Sequence, residues 1–167
     1  DATSAEKAGQ FISICNEHNL PIVSLADTPG FMVGVDSEKE GAVRKMGSLF
    51  NAGANISVPL VAIFLRKGYG LGAMAMVGGS FYIPIFTASW PTGEFGGMGL
   101  EGAVKLGYKK ELEAIEDEKE REELFNKLVQ KMYDAGRALE AATQLEIDAV
   151  IDPADTRSII LKALETG

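Results

Sequence analysis

The residues with the clearest chemical potential lie in one run, Arg66-Lys67-Gly68-Tyr69-Gly70-Leu71-Gly72-Ala73-Met74-Ala75-Met76. The preceding Pro59-Leu60-Val61-Ala62-Ile63-Phe64-Leu65 is nearly all apolar and reads as a buried strand. The following Ala73 to Val77 is a run of good helix formers. A strand that breaks at glycines and restarts as a helix leaves main-chain N–H groups unpaired and aimed at one point. Such a corner can hold an oxyanion with no ionisable side chain. The same spacing serves tight packing of a helix on a sheet equally well. Phe31, Trp90 and Phe95 flank glycine or proline turns, where apolar walls would shield a bound ring or acyl group from water. Met74 and Met76 are candidates for such a wall, with core packing the ordinary use of both.

Other chemistries find less support. Asp27-Thr28-Pro29-Gly30 after a strand matches the magnesium-side switch of GTPases. A GTPase also needs a Gly-x-x-x-x-Gly-Lys-Ser/Thr phosphate loop, and none occurs. His18 is the only histidine and is expected at a helix end, where an imidazolium suits the dipole. Ser24 falls inside an expected buried strand and no Gly-x-Ser-x-Gly elbow exists, so a Ser–His–Asp hydrolase has no footing. Asp27, Asp36 and Glu94 lie near glycine turns, where hydrogen bonding within the turn accounts for each. Cys15 is the single cysteine, which excludes an intrachain disulfide and a cysteine-rich zinc site. Set among Phe11, Ile12 and Ile14, it reads as a buried thiol.

The corner has to be positioned by the elements around it. At 167 residues the chain has one domain's length, and 46% hydrophobic with 24% charged residues places it among globular rather than disordered chains. A net charge of −8 argues against a nucleic-acid surface. No run approaches the roughly 18 apolar residues of a membrane span and no signal peptide opens the chain. Because the first residue is Asp1 and the chain starts within a helical pattern, a portion of a longer polypeptide is expected. Spacing predicts a helix over Ser4–His18, a strand over Ile22–Ala26, and a helix from a Ser37/Glu40 capping box to about Ala54. Strands over Leu60–Leu65 and Tyr82–Phe86 follow. This alternation implies parallel strands joined by right-handed crossovers. Lys109–Gln130 is dense in Glu and Lys with a thin stripe of Leu112, Ile115, Leu124, Phe125 and Leu128, the pattern of a solvated helix or helix pair. A short extended piece at Asp148–Ile151 and a last amphipathic helix, capped by Asp155 or Thr156 and running through Leu164, complete the chain.

Five segments in order resemble the carboxyltransferase component (beta subunit type) of biotin-dependent acyl-CoA carboxylases, in its C-terminal subdomain. Asp27-Thr-Pro-Gly-Phe-Met-Val-Gly34 is similar to that family's D-x-P-G-F-x-x-G loop, and Arg66-Lys67-x-Tyr69-Gly70 to its R-K-x-Y-G corner. Trp90-Pro91-Thr92 resembles a W-P-T/N segment, Met98 to Val104 an M-G-x-x-G-A-V segment, and Ile151 to Arg157 a terminal I-D-P-x-D-T-R. The likeness covers nearly the whole of residues 1–167. It implies a crotonase-like α/β fold of ββα units in a superhelix, with a helical C-terminal part. It also implies carboxyl transfer between carboxybiotin and the alpha carbon of an acyl-CoA such as propionyl-CoA or methylcrotonyl-CoA. In that family the cofactor's own ureido group takes the alpha proton, so no side-chain base is needed, and this sequence offers none.

Carried over position by position, the resemblance puts the biotin-side oxyanion donors on the main-chain N–H groups of Leu71 and Gly72, with Gly70 allowing close approach. Pro29, Gly30 and Phe31 would border the biotin pocket. Met74 matches a position beside the acyl group that is acidic in propionyl-type members, which leaves the substrate open, as it does the choice between carboxylase, transcarboxylase and decarboxylase. The implied partners are acyl-CoA, a biotin carboxyl carrier and a biotin carboxylase component, with no metal, nucleic acid or membrane. The full-length form would be a cytoplasmic homo-oligomer. A docking or assembly module that has kept the fold and lost the chemistry is the alternative. A crotonase-type hydratase or isomerase ranks last, because it would need a carboxylate near the acyl carbon and none is identifiable.

Overall fold

The computed structural model describes all of residues 1–167. In chain order the elements are α1 (Ala2–Glu17), β1 (Ile22–Thr28), α2 (Val35–Lys39), α3 (Ala42–Ala54), β2 (Leu60–Tyr69), α4 (Gly70–Met76), β3 (Phe86–Ser89) and β4 (Glu94–Gly96). Then come α5 (Leu100–Gly107), α6 (Lys109–Glu113), α7 (Glu118–Ala135), α8 (Ala138–Thr143), β5 (Ala149–Val150) and α9 (Thr156–Thr166). The strands form one sheet in the order β1-β2-β3-β5, every pairing parallel as the alternation of helix and strand implied.

Strand β2 is the organising element. Val61, Ala62, Ile63 and Phe64 are fully buried, which the continuous apolar run predicts for a strand covered on both faces. Burying one such large side chain contributes roughly 1.5–3 kcal/mol. The strand extends four residues beyond Leu65, because its far end finds a second neighbour. β3 lies against Val61–Phe64, and β4 takes the same edge further along, opposite Lys67, Gly68 and Tyr69. On the other edge, β1 runs in register from Ile22 opposite Leu60 to Ala26 opposite Phe64. The register then shifts so that Thr28 faces Gly68. This irregularity turns β1 out of the sheet just before Pro29.

Two sequence expectations shift. The predicted capping box fails: Ser37 sits inside the short helix α2, and Gly41 in a left-handed conformation (φ 72) separates it from α3. The strand expected at Tyr82–Phe86 begins only at Phe86, since Pro84 has no N–H to give a ladder and Ile85 joins the sheet through one bond to the Leu60 carbonyl. The core closes around Phe64, whose ring meets Phe81 and Phe95 edge-on at centroid distances of 5.2 and 4.9 Å. The buried hydroxyls of Ser24, Thr87 and Ser89 all donate to main-chain carbonyls, and no buried side-chain polar atom lacks a partner. No helix is long and apolar enough to cross a membrane.

Candidate functional site

Strand β2 passes into α4 with no loop between them. Tyr69 is still extended (φ −106, ψ 131), and Gly70 makes the turn with φ 59, a conformation that side chains disfavour. A Cβ on Gly70 would stand 2.7 Å from the Gly97 carbonyl oxygen. A Cβ on Gly72 would stand 2.8 Å from the Cα and carbonyl carbon of Gly30 and 3.0 Å from the Phe31 nitrogen. The two glycines therefore admit two different loops to the corner. Leu71 and Gly72 are the second and third residues of α4, whose first N–H groups have no carbonyl one turn back. Neither amide donates to a turn or loop carbonyl, and no side chain caps the helix.

Two large cavities meet on this corner. The first, about 640 Å³, is lined by Pro29, Gly30 and Phe31 of the loop after β1, by Met46 and Phe50 of α3, and by Tyr69, Gly70, Leu71 and Gly97. Met32, Val33, Val43 and Met98 stand exposed around its rim, with the polar side chains of Ser37 and Glu38 also in its lining. The second, about 570 Å³, shares Gly70, Leu71 and Gly97 and continues past Met74, Phe81, Tyr82 and Phe95 to Ala135 and Ala141. Leu71, 62% exposed, stands on the wall of both.

Of the residues singled out from sequence, Pro29, Gly30, Phe31, Gly70 and Leu71 come together at the first cavity, and Met74 stands in the second. Gly72 lines neither. It is buried behind Leu71, under the Gly30 loop. Trp90 is a correction. Its indole N–H donates to Thr156 Oγ1 at 2.9 Å, on the side of the sheet packed by α9 and away from both cavities. Met76 is also packing, its carbonyl accepting from Ser24 Oγ at 2.6 Å. His18 ends α1 and Cys15 is buried, as expected. Sequence reasoning missed Gly96 and Gly97, which bring the start of the Met98–Val104 segment to this corner. The signal was present in two adjacent glycines directly before a motif already noted.

Two polar pairs frame the corner. Arg66 donates to Asp27 at 3.1 Å, and the Lys67 amide donates to the same carboxylate at 3.1 Å. Burial pushes Asp27 up, but these donors more than offset it and hold the carboxyl below its usual range. Tyr69 Oη donates to Glu94 Oε2 at 2.8 Å. Burial first, then that carboxylate, pushes the Tyr69 phenol far above its ordinary range, so it remains a donor. Beside it Tyr133 donates to Glu101 at 2.9 Å, joining α7 to α5.

Comparison with known proteins identifies the family. The family model described as the carboxyl transferase domain matches residues 1–166. The methylmalonyl-CoA carboxyltransferase 12S subunit of Propionibacterium freudenreichii is 35% identical over 99% of this chain, and the propionyl-CoA carboxylase carboxyltransferase subunit of Haloferax mediterranei is 35% identical over 98%. This chain spans 31% of the length of each. Among solved structures, a single-chain, multi-domain long-chain acyl-CoA carboxylase is 56% identical with a TM-score of 0.86, covering 98% of this chain and 16% of its own. The transcarboxylase 12S hexamer matches at 33% identity and a TM-score of 0.90, over 99% of this chain and 31% of its own. The expected fold, crotonase-like with parallel strands, is thus the fold observed, and the chain belongs to the carboxyl transferase domain family.

Proposed function

We propose that residues 1–167 form the biotin-facing, C-terminal subdomain of an acyl-CoA carboxyltransferase. The whole enzyme would move a carboxyl group between carboxybiotin, held on a carrier, and the alpha carbon of an acyl-CoA. The observation that carries this reading is the meeting of two cavities on one wall, Gly70, Leu71 and Gly97. A transfer between two bound partners needs both brought to one point, and orientation there supplies much of the rate.

The first cavity suits a neutral bicyclic urea. Phe31, Met46 and Phe50 give it apolar walls, Gly30 and Gly70 bring main chain close, and no lysine or arginine lines it. Bound there, biotin would supply the carboxyl group and a ureido oxygen that gathers negative charge. The main-chain N–H groups of Leu71 and Gly72 would stabilise that charge, each such donor being worth on the order of 3 kcal/mol in a transition state. Gly72 would act from beneath the wall, with the Gly30 loop pressed against its Cα.

The second cavity would take the acyl group. Met74, Phe81 and Phe95 present uncharged surface, and Ala135 and Ala141 leave room at the far end. The 56% identity to a long-chain acyl-CoA carboxylase supports a long aliphatic acyl chain there. Groups that stabilise the thioester would lie outside residues 1–167.

The test uses the full-length protein containing this chain, a biotinylated carrier and acyl-CoAs from propionyl to palmitoyl. Transfer to the long acyl-CoAs is expected, and Ala141→Trp should abolish it while sparing short ones. Absence of transfer to every acyl-CoA would remove the reading. Turnover by residues 1–167 alone would contradict the division of labour.

A further inference from the structure

We infer that Tyr69 and Glu94 are a positioning pair whose hydrogen bond sets the spacing between the β2–α4 corner and the Gly96–Gly99 loop. That spacing fixes the shared wall of Gly70, Leu71 and Gly97 on which the two cavities meet. The inference rests on the carboxyltransferase reading above.

The register of the two strands brings the pair together. In the β2–β4 pairing Lys67 lies opposite Glu94 and Tyr69 opposite Gly96. Side chains two apart share a face, so Tyr69 and Glu94 lie diagonally on one face of the sheet. Gly96 has no side chain, and a Cβ there would come within 3.7 Å of Tyr69 Cδ1. The Tyr69 ring therefore leans over Gly96 and reaches Glu94 with a 2.8 Å bond. Tyr69 is 3% exposed, lines the first cavity and is the residue from which α4 starts. Its carbonyl oxygen faces the Gly30 loop, 3.4 Å from where a Cβ on Gly30 would be. One residue thus touches both loops that close the corner.

The packing of this region does not need the hydroxyl or the carboxylate. Phenylalanine would fill the same volume as Tyr69. β4 is anchored from the other side by its main chain, the Phe95 amide donating to Gly136 at 2.7 Å and the Ala138 amide to the Gly93 carbonyl at 3.0 Å. What remains for the pair is the corner itself. A phenol–carboxylate bond in partly buried surroundings is strong and directional, and it would resist the sub-ångström drift that weakens a preorganised site.

The experiment compares Tyr69→Phe, Glu94→Gln, Glu94→Leu and the double variant Tyr69→Phe/Glu94→Leu in the full-length enzyme. Rates are read with free biotin and with acyl-CoA varied separately. Misplaced reacting groups lose rate steeply, so Tyr69→Phe should lower kcat about tenfold while the KM for acyl-CoA stays within about twofold. Glu94→Gln keeps an acceptor and should remain within about threefold of the parent, whereas Glu94→Leu should match Tyr69→Phe. Because the pair acts as one unit, the double variant should be no slower than the slower single variant. Independently of turnover, amide hydrogen exchange over residues 69–73 and 96–99 should quicken about tenfold in Tyr69→Phe, with β1 unchanged. A Tyr69→Phe enzyme with parent kcat and parent exchange overturns the inference. So does a double variant whose losses multiply, or a Glu94→Gln as slow as Glu94→Leu. If Glu94→Leu does not fold, Glu94→Gln and Tyr69→Phe still decide. An inactive parent enzyme would instead bring down the carboxyltransferase reading, and this inference with it.

Discussion

Gly53 in α3 and Gly72 in α4 both press main chain against main chain through a helical glycine, and only the second stands behind the wall on which the two large cavities meet. Gly53 in α3 would put a Cβ 2.6 Å from the Gly78 carbonyl oxygen, and Gly72 in α4 would put one 2.8 Å from the Gly30 Cα. In sequence Gly53 lies between Ala52 and Ala54, inside a helical run, whereas Gly72 lies between Leu71 and Ala73, just after a strand that breaks at Gly70. Gly53 and its partner line neither of the cavities that meet at Leu71, and Gly78 is packed by Leu60 and Ile83. Gly72 and its partner sit directly behind that meeting point. A glycine contact is thus a packing device in both cases, and what stands in front of it decides whether it also carries chemistry.

Alanine at each site separates the two roles. Glycine to alanine inside a helix ordinarily stabilises by up to about 1 kcal/mol. Both sites should reverse that sign, because the obstructing atoms are backbone and cannot rotate away. Gly72→Ala should push the Gly30–Phe31 loop off the corner and lower the carboxyl-transfer rate of the full-length enzyme about a hundredfold, the scale of a 1 Å misplacement. Gly53→Ala should cost roughly 1–3 kcal/mol of stability, as overpacking does, and leave kcat within about twofold of the parent. Denaturation midpoints beside steady-state rates read both. Equal losses of rate from the two variants would erase the distinction.

The same contrast explains what was legible beforehand. β2 was visible because Val61–Phe64 is apolar without a break, and burial on both faces demands that. Its extension to Tyr69 was invisible, because Arg66 and Lys67 read as loop until β4 supplies a partner for them. β4 is three residues, one a glycine, and exists only through that pairing and its bonds to Gly136 and Arg137. The capping box at Ser37 satisfied a local rule, yet Gly41 took the left-handed conformation and divided the helix. Trp90 had the right company in sequence, but Thr156, sixty-six residues on, holds its indole on the opposite side. The glycine corner was readable because strand, turn and helix are contiguous. Which cavity Met74 would face was not, since α7 and α8 form the far wall.

The smallest expected effect concerns the other hold on the same loop. Pro29 and Gly30 leave β1 just after Asp27, whose carboxylate is gripped by Arg66 and by the Lys67 amide. If the Gly72 contact governs the loop, the ion pair adds only a modest restraint. Asp27 has a folded-state pKa below the usual 3.8, so its contribution is present above the unfolded value and is lost as pH falls through the folded one. D27N should therefore melt slightly below the parent near pH 7, with the gap narrowing as pH falls past the ordinary aspartate value and closing only below the lower folded-state value, where Asp27 is protonated too. The gap at neutral pH should be smaller than that of Gly53→Ala, since the Arg66 side chain is 59% exposed and solvent screens the pair. High salt should narrow it further. Asparagine keeps an acceptor for the Lys67 amide, so transfer should remain within about twofold of the parent. A D27N enzyme as slow as Gly72→Ala, with a gap that salt does not touch, would mean that charge rather than close backbone contact places the loop on the corner.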